Sequence, residues 1–152
     1  MKFFPFENLT YRSPLSEVEV MQQLSTLIRS GQYSGSLNGQ TFNIQRVIRY
    51  RNSFLPLIKG SIQDSFDGTM ITVKMRLHLF VLIFLGIWIG GVVFALLRTF
   101  IASYKSGSAL SFLPLGMLLF VYLLTTLAFK FESNKAEKDL QQLWKAELQK
   151  VS

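Results

Sequence analysis

Arg46, Arg49, Arg51 and Lys59 are the densest group of side chains in this chain with an evident chemistry. A guanidinium fork grips phosphate oxygens in pairs, so these cations suit a phosphate or anionic lipid headgroup. If the strand that carries them reaches far enough, Arg49 and Arg51 share one face and Arg46 points to the other. The competing reading is a solvated strand face that also blunts a sheet edge. His78 is the single histidine. A lone imidazole cannot make a normal zinc site, and beside Arg76 at the start of an apolar run its amphipathic ring suits an interface. Asp64 and Asp67 flank a turn, which explains them without acid–base chemistry. No spacing joins Ser, Asp and His into a triad, and no Walker loop, HExxH or GxSxG occurs. Cysteine is absent, which excludes disulfides, thiol catalysis and cysteine-ligated metals. The expectation is a non-enzyme with no catalytic residue, cofactor or metal.

The elements that would position these groups are dominated by two apolar runs. Leu77–Leu97 and Ala109–Phe129 are 21 residues each and carry no Asp, Glu, Lys or Arg. A hydrocarbon core of about 30 Å takes about 20 helical residues to cross. Neither run alternates as a barrel strand does, so a two-helix transmembrane hairpin is expected. Ion-coupled transport needs ionisable groups at mid-membrane depth, which both runs lack. Gly86 and Gly90 form a GxxxG pair, and Gly91 with Ala95 repeats the spacing. Such small residues let helices approach closely, within the hairpin or between copies of the chain.

The net charge of +7 is uneven: residues 1–76 hold nine Lys and Arg against five Asp and Glu. An isoelectric point near 9.9 could suggest nucleic acid, but beside two spans attraction to anionic lipids is the more economical reading. No nucleic-acid partner is expected. Lys74 and Arg76 precede the first span, and Lys130, Lys135 and Lys138 follow the second. The connection Arg98–Ser108 holds only Arg98 and Lys105. Five cations against two place both termini in the cytoplasm of a multi-pass protein of the plasma (inner) membrane. The first residues, MKFFPFENLTYRSP, have no apolar core or cleavage site of a secretory signal.

Residues 1–76 read as an α+β unit. Ser13-Pro14 precedes an amphipathic helix through Leu15, Val18, Met21, Leu24, Leu27 and Ile28, with Ser16 and Glu19 at capping-box spacing and Gly31 beyond its end. The cap is open between Ser13 and Ser16. Four strands of an antiparallel meander follow. Tyr33–Leu37 and Gln40–Tyr50 are joined by Asn38-Gly39 as a type I′ turn. Phe54–Gln63 has Pro56 near its start, and Thr69–Leu77 alternates cleanly after an Asp67-Gly68 turn. Residues 77–129 form the transmembrane hairpin and residues 130–152 a C-terminal amphipathic helix, Glu132–Val151. Asn134 could cap that helix, or it could continue the second span. Its stripe of Leu140, Leu143, Trp144, Leu148 and Val151 needs a partner: the N-terminal unit, a partner subunit, or the lipid surface.

Through RVIRYRNSFLPLIKG and GTMITVKMRLH the chain resembles small uncharacterised two-span bacterial membrane proteins with an N-terminal α+β cytoplasmic unit. The resemblance covers about residues 40–100 and implies a bacterial plasma-membrane setting. The functional expectation is an integral membrane adaptor or regulatory subunit contacting anionic lipids and a protein partner. The alternatives are a self-associating membrane effector or small channel built through Gly86 and Gly90, and a membrane-bound enzyme with an unrecognised site.

Overall fold

A computed structural model describes residues 5–66, 68–106, 112–145 and 147–149. Its first element is a strand, β1 (Phe6–Ser13), in a segment where none was expected. The strand buries Glu7, Tyr11 and Ser13 and turns Phe6, Asn8 and Arg12 outward, so Glu7 and Ser13 inside and Phe6 outside depart from the usual apolar-in pattern. Ser16 then caps α1 (Glu17–Arg29). The Ser16 hydroxyl accepts from the Glu19 amide at 3.4 Å, and the Glu19 carboxylate accepts from the Ser16 amide at 2.8 Å. This reciprocal box decides the cap for Ser16 over Ser13. The hydrogen bond from the Ser16 amide, with the one from its hydroxyl, holds the Glu19 carboxyl below its usual range. Gly31, at φ +75°, turns the chain out of the helix.

The expected meander is present with altered bounds: β2 (Tyr33–Asn38), β3 (Thr41–Arg46), β4 (Leu57–Ser65) and β5 (Gly68–Arg76). The β2–β3 turn is Gly39-Gln40, one residue later than expected, with Asn38 paired to Thr41. Gly39 alone of the two has a positive φ, +53°, the sign pattern of a II′ turn instead of I′. β3 stops at Arg46, so Ile48, Arg49 and Tyr50 lie in a loop. Within that loop the Asn52 side chain accepts from the Phe54 amide at 3.0 Å. β4 starts only after Pro56, which has no N–H to give a ladder. Asp67 lies outside the described residues.

Four strands become five in the N-terminal unit, because β1 pairs along β5 from Phe6↔Arg76 to Ser13↔Thr69. A short sixth, β6 (Glu147–Gln149), adds to the other side of β1. The order is β2-β3-β4-β5-β1-β6, antiparallel throughout, and α1 links β1 to β2 at the far edge. One face is covered: Tyr11, Ile44, Ile58, Ile62, Ile71, Val73 and Met75 pack with Val20 and Leu24 of α1. Gly60 leaves space for the Phe42 ring, since a Cβ there would lie 2.2 Å from it.

Two long apolar helices follow. α2 (Leu79–Ser106) has 28 residues and α3 (Leu113–Trp144) has 32. At 1.5 Å per residue they run about 42 and about 48 Å. Both are long and apolar enough to cross a membrane, and their most apolar stretches are only 6% and 11% buried. A core helix of a water-soluble domain would be mostly buried, which these stretches are not. α2 starts at Leu79 because Leu77 is already committed to the domain core. It also runs through most of the expected Arg98–Ser108 connection, which has neither Gly nor Pro before Gly107. Ala109 and Ser111, at the head of the expected second span, lie outside the described residues.

Of the two alternatives for the tail helix the structure takes the continuous one, and the helix ends before the expected Val151. α3 passes Asn134 without a break, so the tail is the far end of the second apolar helix. It stops at Trp144, where Lys145 takes a left-handed conformation at φ +47°. The chain then returns as β6 instead of continuing helically. Ser13 secures the stop: its hydroxyl donates to the Trp144 carbonyl at 2.6 Å, satisfying a helix-terminal acceptor.

Candidate functional site

The described residues place the most unusual chemistry where α3 leaves its apolar stretch and lies on the sheet. Glu132, Ala136, Leu140 and Trp144 are buried along one side of α3, and the polar members of that side meet partners from the sheet. The Glu132 side chain is 1% exposed. Its carboxylate faces Arg46 at 3.8 Å and Lys135 at 3.9 Å and accepts a hydrogen bond from the Tyr50 hydroxyl. Arg46 also reaches Asp139 at 3.3 Å, and the Tyr33 hydroxyl donates to the same carboxylate at 3.1 Å. Nearer the apolar segment, Lys130 contacts the buried Glu7 at 3.0 Å. Lys135 stands 4.0 Å above the Phe131 ring centroid, within cation–π range.

Three carboxylates and three cations are thus interleaved across one helix–sheet seam. Burial, followed by the Asp139 charge, raises the Tyr33 phenol above its ordinary value. Tyr50 is raised chiefly by its hydrogen bond to Glu132, and Tyr11 chiefly by burial. Glu7, Glu132 and Asp139 each have a cation within 4 Å at the seam. No group of three or more His, Cys, Asp and Glu among the described residues could hold a metal ion.

The expected basic cluster comes apart. Arg46 lies on the covered face at this seam, Arg49 and Arg51 are exposed in the loop after β3, and Lys59 faces outward from the opposite side of the sheet. Shared-face geometry for Arg49 and Arg51 is lost because β3 ends before them. His78 closes the first turn of α2: its Nδ1 accepts from the Phe80 amide at 3.3 Å and its carbonyl from Val81 at 3.0 Å.

The small-residue set also differs from the first expectation. A Cβ at Gly86, Gly90 or Gly91 would meet nothing within 4 Å, and Ala95 is exposed. The less exposed positions of α2 are instead Val81, Leu85, Trp88, Val92, Leu96 and Thr99, spaced by three and four, with Val81 and Leu85 against the domain core. In the tail, Leu140 and Trp144 are fully buried and Leu143 partly so. Trp144 meets Tyr11 edge-on at 5.7 Å and Phe42 at 5.9 Å. Leu148 stands opposite Tyr11 in β6; its side chain, and Val151 altogether, lie outside the described residues.

Glu7, Tyr33, Tyr50, Glu132 and Asp139 were not singled out from the sequence. The available signal was the i, i+3 spacing of Glu132 and Lys135 beside the Leu140 stripe, which an exposed helical ion pair would produce equally well. Comparisons with known protein families, curated proteins and solved structures return no match for this chain.

Proposed function

We propose that the chain is a non-enzymatic integral membrane adaptor or regulatory subunit, with an α+β module held against the cytoplasmic face of a bacterial plasma membrane. The observation that carries this reading is the continuity of α3. One helix runs from an exposed apolar stretch into the core of the folded unit, where Trp144 is fully buried. A flexible tether would let the unit reorient freely, whereas this helix and the ion pairs of its seam hold it in one pose toward the hairpin. Such a pose suits presentation of a surface to a partner in the same membrane. The exposed leucines and phenylalanines of both long helices support a lipid environment, because a surface of this extent is unfavourable in water.

A second reading, a self-associating effector or small channel, draws on the outward Gly86, Gly90, Gly91 and Ala95. Purification in a mild detergent separates the two. The adaptor reading expects one distinct polypeptide to stay bound in fixed ratio, and to be lost when Trp144→Asp unseats the end of α3. A stable homo-oligomer without other proteins, dispersed by Gly90→Leu, would replace it with the second reading.

A further inference from the structure

On the uncovered face of the sheet, Lys59 of β4 and Lys74 of β5 stand directly opposite each other. Directly opposed residues have Cβ atoms about 5 Å apart, and like charges at that spacing destabilise a sheet. The flanking register positions bring no relief. The row reads Asn43, Lys59, Lys74, Asn8, and the next row toward α2 reads Gln45, Leu57, Arg76, Phe6. Neither row contains an acid, and among the described residues Lys59, Lys74 and Arg76 have no carboxylate partner. These cations line a recess of about 370 Å³ together with Leu57, Leu77, Leu79 and Leu82. Leu79 and Leu82 belong to the first turns of α2 and are themselves exposed.

We propose that this recess binds the phosphate head of an anionic glycerophospholipid where α2 enters the bilayer. Three unneutralised cations against an acid-free surround call for an anion, and Arg76 can take two phosphate oxygens at once. The leucine wall selects a lipid over a soluble phosphate. It begins at the level of the cations and continues onto the exposed apolar side of α2, so an acyl chain attached to the bound head has a surface to follow. The volume lies in the range usual for small-ligand sites, about 300–1,000 Å³. Phosphate on Lys59 and Lys74 also removes their mutual repulsion, so occupancy and sheet stability rise together. The site rests on the membrane reading above, and is separate from the loop cations Arg49 and Arg51.

The test uses the full chain in nanodiscs of phosphatidylglycerol and phosphatidylcholine, with retained lipid read by native mass spectrometry. Wild type is expected to retain phosphatidylglycerol preferentially. Lys59→Gln/Lys74→Gln/Arg76→Gln should lose roughly 100-fold in that preference, and Lys74→Gln alone about fivefold, at the usual contribution per basic contact. The control Arg49→Gln/Arg51→Gln/Lys138→Gln, which removes the same charge elsewhere, should keep it. Without anionic lipid, in an uncharged detergent, the triple variant should melt no lower than wild type. Equal loss in both triple variants would reduce the site to diffuse attraction, and displacement by millimolar inorganic phosphate would overturn the lipid assignment. A lower melting temperature in uncharged detergent would contradict the repulsion on which the site is argued. Insertion is scored separately: a chain that alkaline carbonate strips from liposomes sinks the membrane reading itself, whereas firm insertion with no lipid preference sinks only this site.

Discussion

Glu132 brings a carboxylate to 1% exposure on a helix that starts as an apolar segment. Desolvation would expel it without partners, so Arg46, Lys135 and Tyr50 are conditions for α3 to lie where it does. Because Arg46 and Lys135 remain about a third exposed, removal of the carboxylate leaves their charges partly hydrated. Glu132→Ala is therefore expected to cost about 1–3 kcal/mol. In a cycle with Arg46→Ala, coupling within about 0.5–3 kcal/mol is expected from chemical unfolding in detergent; additive losses would show that the two do not interact. The phenols make a pH statement of defined sign. Tyr11 and Tyr33 are raised above the ordinary value of 10.0, so the unfolded chain releases those protons first. Their contribution to stability is fully present below pH 10 and is lost as pH rises beyond it. The alkaline fall in melting temperature should be shallower in Tyr33→Phe, and an identical fall in the variant would refute the assignment.

The long α3 joins two environments in one element, and its continuity is testable at Asn134. That residue is exposed in the middle of the helix, so a substitution there disturbs little packing. Proline at an interior position removes one helical hydrogen bond and clashes with the carbonyl four residues earlier, at a cost of about 3 kcal/mol. Asn134→Pro should accordingly lower the melting temperature of the folded unit in detergent by several degrees. A helix that began at Asn134 would accept the change with little loss, and unchanged melting would restore that arrangement. β1 and β6 make the complementary point about short strands. Each takes its ladder from a neighbour: β5 for β1, and β1 for β6.

In the molecule as a whole, both ends of the hairpin return to one sheet. β5 leads into α2 after only Leu77 and His78, and β6 follows α3 to pair with β1. The folded unit and the C-terminal strand therefore lie on the same side of the apolar pair, with the end of α2 at Ser106 and the start of α3 at Leu113 away from them. The expected labelling pattern follows. With no native cysteine to interfere, Ser106→Cys should react with a membrane-impermeant thiol reagent in intact cells, and Arg49→Cys should react only after permeabilisation. The opposite pattern would place the unit outside the cytoplasm.

Two properties of the chain could be read without coordinates, and both arise from local repetition. The apolar runs declare two long helices because nothing charged interrupts them, and the alternation of Ile71, Val73 and Met75 declares β5 because one face of that strand is entirely core. The box of Ser16 and Glu19 was legible for the same reason, since its hydrogen bonds span three residues. What depends on distant partners was not. β1 hides because its buried side chains include Glu7, which needs Lys130, and Ser13, which needs the end of α3. The four cations that looked like one cluster are dispersed because β3 ends at Arg46, before the loop carries Arg49 and Arg51 away. Lys59 instead meets Lys74 and Arg76, through a strand register that no local pattern specifies. Spacing along the chain sets which residues share a helix or strand face. Which faces then meet depends on long-range pairing, where buried charge finds its counter-charge only after the fold has closed.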